Sequence, residues 1–264
     1  MIPYFQYNAF QIGPVTIQIW GLFVSLGLVA GVLLAYRLAR KYVFSTQVVL
    51  DLAIWNMVGG LIGARIFHII FYEPVYYLEN PAEIIKFWHG GASSLGGFLG
   101  AAVATYIFIR LRHFSLKEIL PYADIGVLSL WLGWAVGRLG CFFIHDHPGR
   151  LSDFFLAVNF PSGARHDLGL YESLFSLGIF ILFSLLFKHL VKIKWGLVFG
   201  WSVGVYAVGR FFLDFLRAED LIGADMRYAG LTPAQWGMMA IVLALTFIAV
   251  WSKVREQKNT GEVA

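Results

Sequence analysis

The sequence predicts an all-α polytopic membrane helical bundle of seven transmembrane helices, with the N-terminus outside and the C-terminus cytoplasmic. Composition is the first reason. Of 264 residues, 59% are hydrophobic and only 14% are charged, and the mean hydropathy is +0.71, so there is too little polar surface to coat a water-soluble globule of this size. Disorder is excluded by 24 Phe, 12 Tyr and 9 Trp, which supply far more burial than an unstructured chain carries. The second reason is length: seven apolar stretches approach the roughly 20 residues that cross about 30 Å of hydrocarbon. The third is that Lys and Arg alternate between rich and poor connections, as cytoplasmic retention of positive charge demands.

Taken in order, the expected spans are residues 15–36, 48–72, 95–112, 119–144, 169–190, 195–217 and 231–252. Arg37, Arg40 and Lys41 follow the first; Arg110, Arg112 and Lys117 follow the third; Lys188, Lys192 and Lys194 follow the fifth; Lys253, Arg255 and Lys258 follow the seventh. All twelve share one side if the N-terminus is outside. The remaining eight basic residues then lie at outer span ends or in outer loops, beside most of the acids. No period-two alternation of the barrel type is seen, and the first basic residue is Arg37, so the first apolar segment reads as a span rather than a cleaved signal peptide. With neither linker nor low-complexity run, residues 1–264 read as a single integral membrane domain with outward loops at 73–94, 145–168 and 218–230.

The net charge of +4 does not point to nucleic acid, because the basic residues fall in groups between apolar runs instead of on one stripe. Cys141 is the lone cysteine. It has no disulfide partner within the chain, and the spacing of Cys and His matches no zinc motif. No metal and no cofactor are expected, and Cys141 reads as a small buried hydrophobe.

Charges inside a span cost about 2.5–3.5 kcal/mol on insertion scales and mark either function or an internal partner. Arg65, Arg138, Arg210 and Arg217 fit that description. Positions 210, 214 and 217 share one helical face, so Arg210, Asp214 and Arg217 form a polar stripe in which Asp214 pairs with either arginine. Snorkelling to the interface, or binding helix-end carbonyls, is the structural alternative, strongest for Arg217 and Arg65. Several guanidinium forks beneath an outer surface suit a phosphate, and a lipid head group is the nearest one. Residues 89–100 carry Gly90-Gly91 and Gly96-Gly97, either a broken backbone with free N–H donors or small-residue helix packing. His145, Asp146 and His147 form the densest polar cluster, whose histidines read as loop hydrogen-bonders or acid/base groups. Glu172, next to Tyr171, reads as an early-turn acid favoured by the helix N-terminus, and Asp124 as a structural hydrogen-bonder.

Several motifs together resemble the prolipoprotein diacylglyceryl transferase family along almost the whole chain: Ile12-Gly13-Pro14-Val15, Gly63-Ala64-Arg65-Ile66, Trp88-His89-Gly90-Gly91 with Gly96-Gly97, Gly137-Arg138-Leu139-Gly140, Gly149-Arg150, Leu170-Tyr171-Glu172, and 210–217. The resemblance implies transfer of a diacylglyceryl group from phosphatidylglycerol to the thiol of the lipobox cysteine of a prolipoprotein signal peptide. It implies the bacterial cytoplasmic (inner) membrane, with the active site towards the outer side and membrane lipids as partners. Arg138 and Arg210 match the family's essential arginines and clamp the departing phosphate. His89, Asp146 and His147 are then the remaining catalytic candidates. Arg65, Gly90, Gly91, Gly96, Gly97, Gly149, Arg150, Tyr171, Glu172, Asp214 and Arg217 are the substrate-binding ones. The sequence departs from the family at Leu95, where many members have histidine, at Cys141 in place of asparagine, and at Trp20, commonly tyrosine. A divergent member that binds or translocates anionic phospholipid is the alternative, and a transferase with another acceptor is a third reading.

Overall fold

The computed structural model describes residues 1–86, 90–221 and 224–260, without the side chains of Ser94 and 255–260. The chain is predominantly helical and divides into two compact units, Met1–Leu33 with Ala123–Ala264, and Leu34–Tyr122.

Among the described residues six helices are long and apolar enough to cross a membrane. These are α1 (Ile19–Lys41), α2 (Thr46–Phe71), α5 (Leu116–Ile144), α6 (Leu168–Ile193), α7 (Leu197–Leu213, extended by a 3₁₀ turn to Leu216) and α8 (Pro233–Thr260). The expected third span is α4 (Ser94–Leu111), whose 18 residues extend about 27 Å at 1.5 Å per residue, against 20 or more residues in each of the six once α7 is counted to Leu216. The first span is displaced from 15–36, because residues 15–18 pair as a strand before α1 begins.

The first unit contains the strands. A hairpin joins β2 (Ala9–Ile12) to β3 (Val15–Gln18), with Gly13 at φ +59 in its turn. The stretch 145–168, expected as an outer loop, holds β4 (Pro148–Leu151), β5 (Val158–Phe160) and β6 (Gly163–Asp167), which with β1 (Ile2–Pro3) form a sheet ordered β1-β5-β6-β4. These strands are too short to show alternation in sequence, and only their pairing satisfies their backbone groups. The sheet positions the polar residues above it in sequence. Pro148 pairs with Asp167, the Leu168 N–H donates to the His147 carbonyl at 3.1 Å, and Gly149 bridges to Arg217.

Helix starts follow local chemistry. The Asp167 carboxylate caps α6 by accepting from the Leu170 N–H at 3.0 Å. Thr232 and Gln235 form a reciprocal box at the start of α8: the Thr232 N–H donates to the Gln235 side chain at 2.9 Å and the Gln235 N–H to the Thr232 hydroxyl at 3.2 Å. Helix α7 starts at Gly196, φ +95, with no cap of its own. Asp124 of α5 instead accepts from the Gly196 and Phe199 N–H groups, each at 2.7 Å, the structural role expected for it.

The second unit is organised around α2 and α4. A Cβ placed on Gly63 would lie 2.6 Å from the Gly100 Cα, so the glycines of the two helices let their backbones touch. A polar bond survives in this interface, from the Thr105 hydroxyl to the Asn56 side chain at 2.7 Å. Residues 73–94, expected as a loop, contain α3 (Pro74–Glu79) and a 3₁₀ turn (Pro81–Ile85).

Candidate active site

In the first unit, α5, α6 and α7 bring together residues far apart in sequence. Arg138 lies two turns before the end of α5, Glu172 one turn inside α6, and Arg210 one turn before the end of α7. Glu172, 1% exposed, receives both guanidinium groups: Arg138 Nη2 at 2.8 Å and Arg210 Nε at 3.0 Å. Arg210 Nη1 also donates to Asp214 at 2.6 Å, one helical turn on. Asp214 is fully buried, accepts from the Thr232 hydroxyl, and lies 3.7 Å from Arg217, whose Nε donates to Asp225 at 2.8 Å. Asp214 thus serves both arginines of the predicted stripe.

Three guanidinium groups face three carboxylates, so the cluster is neutral overall, as a buried ionic network must nearly be. Arg138 has two further neighbours. Its guanidinium stacks on the Trp134 ring at 5.0 Å, one turn earlier, and its Nη1 approaches the buried Cys141 Sγ at 3.7 Å. Its Nε has no hydrogen-bond partner among the described residues.

The chain leaves α5 through His145, which takes a left-handed conformation (φ +53). A non-glycine residue there is strained unless something holds it. His145 is held: its Nδ1 lies 2.6 Å from the buried Asp167 carboxylate, and Tyr4, Phe5, Phe142 and Phe160 surround its ring. The turn sends Asp146 and His147 back towards Cys141, so that one donor atom from each of the three lies within 4.8 Å of the others.

Burial, reinforced by Arg138, Arg217 and Arg210, pulls the His147 pKa down to about 3. Its imidazole is therefore neutral at ordinary pH, with a lone pair free to accept or to ligate, but it is a poor proton acceptor. Partial loss of water around its carboxyl raises the pKa of the otherwise exposed Asp146, and Arg138 opposes that rise.

Tyr171 shares a 2.8 Å hydrogen bond with His166 Nδ1. Arg150 pairs with Glu219 at the exposed surface. Gly149 is buried where a Cβ would press on the Leu216 carbonyl at 2.5 Å, and its own carbonyl accepts from Arg165 at 3.1 Å; it packs the sheet. In the second unit Arg65 is 3% exposed. It donates to the carbonyls of Ile84 (3.1 Å), Gly91 (3.0 Å) and Lys86 (3.2 Å), and to those of Glu83 and Gly90. Its guanidinium lies 5.0 Å over Tyr77. The carbonyl-binding alternative describes it, and the fork lies in the wall of a cavity of about 630 Å³ that Tyr72, Glu73 and Gly91 also line. Gly90 and Gly91 take positive φ. Gly96 and Gly97 lie inside α4, where their N–H groups are taken by the Ser93 hydroxyl at 3.4 Å and carbonyl at 2.9 Å. These two donors are not free, and Gly96 packs on Gly63. His89 lies outside the described residues.

The model of the family described as prolipoprotein diacylglyceryl transferase matches residues 7–251. The chain belongs to that family. Two strains of Staphylococcus aureus and a Nostoc species supply relatives named phosphatidylglycerol--prolipoprotein diacylglyceryl transferase. The former are 31% and 30% identical over 94% of this chain and 89% of their own length. The latter is 30% identical over 96% and 94%. The diacylglyceryl transferase family resemblance read from the motifs is thus an observed relationship along nearly the whole chain. Sequence reasoning missed His145 with Asp167, Thr232 with Gln235, and Arg165 with Asp220. Only the second pair carried a local signal, Thr-Pro-Ala-Gln at 232–235.

Proposed function

We propose that the chain transfers a diacylglyceryl group from phosphatidylglycerol to the thiol of a prolipoprotein lipobox cysteine, forming a thioether and releasing glycerol phosphate. The observation that carries this reading is that Arg138 and Arg210, from different helices, converge on one buried carboxylate, Glu172. A phosphate leaving group needs charge stabilisation more than it needs a proton. Guanidinium groups already held in position by Glu172 and Asp214 supply that charge without reorganising. Arg138 Nε, a buried donor with no partner among the described residues, is available to a phosphate oxygen.

In this reading the chain is a single integral domain of the bacterial inner membrane. α4 forms a seventh span, the N-terminus is outside, the C-terminus is cytoplasmic, and the site faces the outer side, as the distribution of basic residues favours. Asp146 and His147 border the site, while Tyr171, Gly149, Arg150 and Arg217 shape its surroundings. The assay incubates purified protein with phosphatidylglycerol and a lipobox peptide. Thioether-linked peptide and glycerol phosphate are expected from the unmodified chain, with loss of about 100-fold or more in Arg138→Ala and Arg210→Ala, the scale of one transition-state charge contact. Equal release from all three sinks the assignment. Leu95, at the position where many family members have histidine, favours the second reading, an anionic phospholipid binder; lipid binding without glycerol phosphate release would establish it.

A further inference from the structure

We propose that Cys141, Asp146 and His147 bind one thiophilic divalent metal ion of the zinc type, and that its open coordination position takes the acceptor thiol. The second half of this inference rests on the transferase reading; the metal site does not.

The donors are a thiol, a carboxylate and an imidazole, with donor atoms within 4.8 Å of one another. Metal–ligand bonds of about 2.0–2.3 Å require these atoms to close by roughly 1 Å, within reach of side-chain rotation. Three protein ligands of this kind leave one tetrahedral position open, the layout of catalytic zinc rather than structural zinc. Soft sulfur with nitrogen selects zinc over magnesium or calcium. The spacing matches no linear zinc motif because it depends on the left-handed turn at His145. That turn is locked by Asp167 on one side, and the His147 carbonyl is locked by the Leu168 N–H on the other.

Charge also balances. A dication bound by a thiolate and a carboxylate is neutral overall, so the nearby guanidinium groups of Arg138, Arg210 and Arg217 face no added positive charge. Arg138 Nη1, 3.7 Å from Sγ, donates to the sulfur in the manner of the outer partners that orient metal ligands. Exposure is graded across the three residues: Cys141 is buried, His147 half-buried and Asp146 exposed. The ion would be anchored on the protein side and reached from the other.

The chemistry fits the reaction. Leu95 has no proton to exchange. A metal removes the need for a strong base, because a coordinated thiol is deprotonated outright. The acceptor sulfur would displace a metal-bound water and release its proton to bulk solvent. The bound thiolate then attacks the glycerol carbon that carries the phosphate ester. The carbon–sulfur bond forms as the carbon–oxygen bond breaks, and the electron pair leaves on the phosphate oxygen. The product thioether, a weaker ligand than a thiolate, departs.

The test uses the full chain in detergent, stripped with chelator and titrated with cobalt(II) alone. One ion per chain and a thiolate-to-cobalt charge-transfer band are expected. Cys141 is the single cysteine, so the band has one source and disappears in Cys141→Ser. His147→Ala and Asp146→Asn should each weaken binding by about tenfold or more. A lipobox peptide with cysteine should strengthen the band, and its serine counterpart should not. No band from folded wild-type protein overturns the site even if every variant misfolds, as does undiminished binding in His147→Ala. A band indifferent to the cysteine peptide overturns the acceptor position. Full transfer by chelator-treated protein overturns the metal's role in the reaction and leaves the transferase reading standing. A peptide-responsive band without transfer does the reverse.

Discussion

Replacing Glu172 by glutamine removes the charge that Arg138 and the buried Arg210 share while keeping the side chain's shape. The carboxylate is 1% exposed and meets Arg138 at 2.8 Å and Arg210 at 3.0 Å. Removing one partner of a buried ion pair costs about 3–5 kcal/mol, because the other charge is left uncompensated. Here the effect should fall near the lower end. Arg210 keeps Asp214 at 2.6 Å and the glutamine oxygen still accepts one hydrogen bond, so the loss falls mainly on Arg138. A loss of about 3 kcal/mol lowers Tm by roughly 6–12 °C in a chain of this size. Thermal unfolding in detergent, followed by the fluorescence of the 9 tryptophans, measures it. Arg138→Met added to Glu172→Gln should recover part of the loss, since the second change removes the stranded charge. A single variant within about 2 °C of wild type would show that Glu172 is not the counter-ion on which this cluster depends.

Three other perturbations test separate parts of the structure. Gly63→Val should destabilise the α2–α4 pair by about 1–3 kcal/mol through overpacking, read as a lower Tm, because its Cβ would meet the Gly100 backbone. Asp124→Ala removes the acceptor for two N–H groups at the start of α7 and should cost about 0.5–2 kcal/mol; an unchanged melting curve would refute the capping role. Burial lowers the His166 pKa from 6.5, so the folded state takes up its proton less readily than the unfolded state. Stability is then fully present above about pH 6.5 and declines as pH falls towards the folded pKa. The fall in Tm of His166→Gln between pH 7 and 5 should be shallower than that of wild type, and parallel curves would refute the linkage.

Much of the fold was legible because membrane helices announce themselves over a window of about 20 residues. The boundaries were less so. Residues 15–18 read as the start of a span yet form β3, since a strand of four residues is recognised only by its partner. The glycine pair at 96–97 admitted two readings, and the structure favours packing because Ser93 takes both N–H groups. Arg65 lies beside small residues like Arg138, but is held by backbone carbonyls where Arg138 is held by a carboxylate. That difference depends on which chain segment happens to lie opposite.

Composition and charge periodicity determined by themselves that this is a multi-helix membrane chain, and the ordered motifs determined its family. Both signals are local, carried by neighbouring residues and independent of how helices meet. Tertiary structure alone decided that Glu172 joins Arg138 to Arg210, that Asp214 serves two arginines and Thr232, and that Cys141 lies beside Asp146 and His147. In a low-dielectric interior an ionisable group is tolerable only beside its complement, and that complement comes from a different helix or across a reversed turn, where spacing along the chain carries no record of proximity.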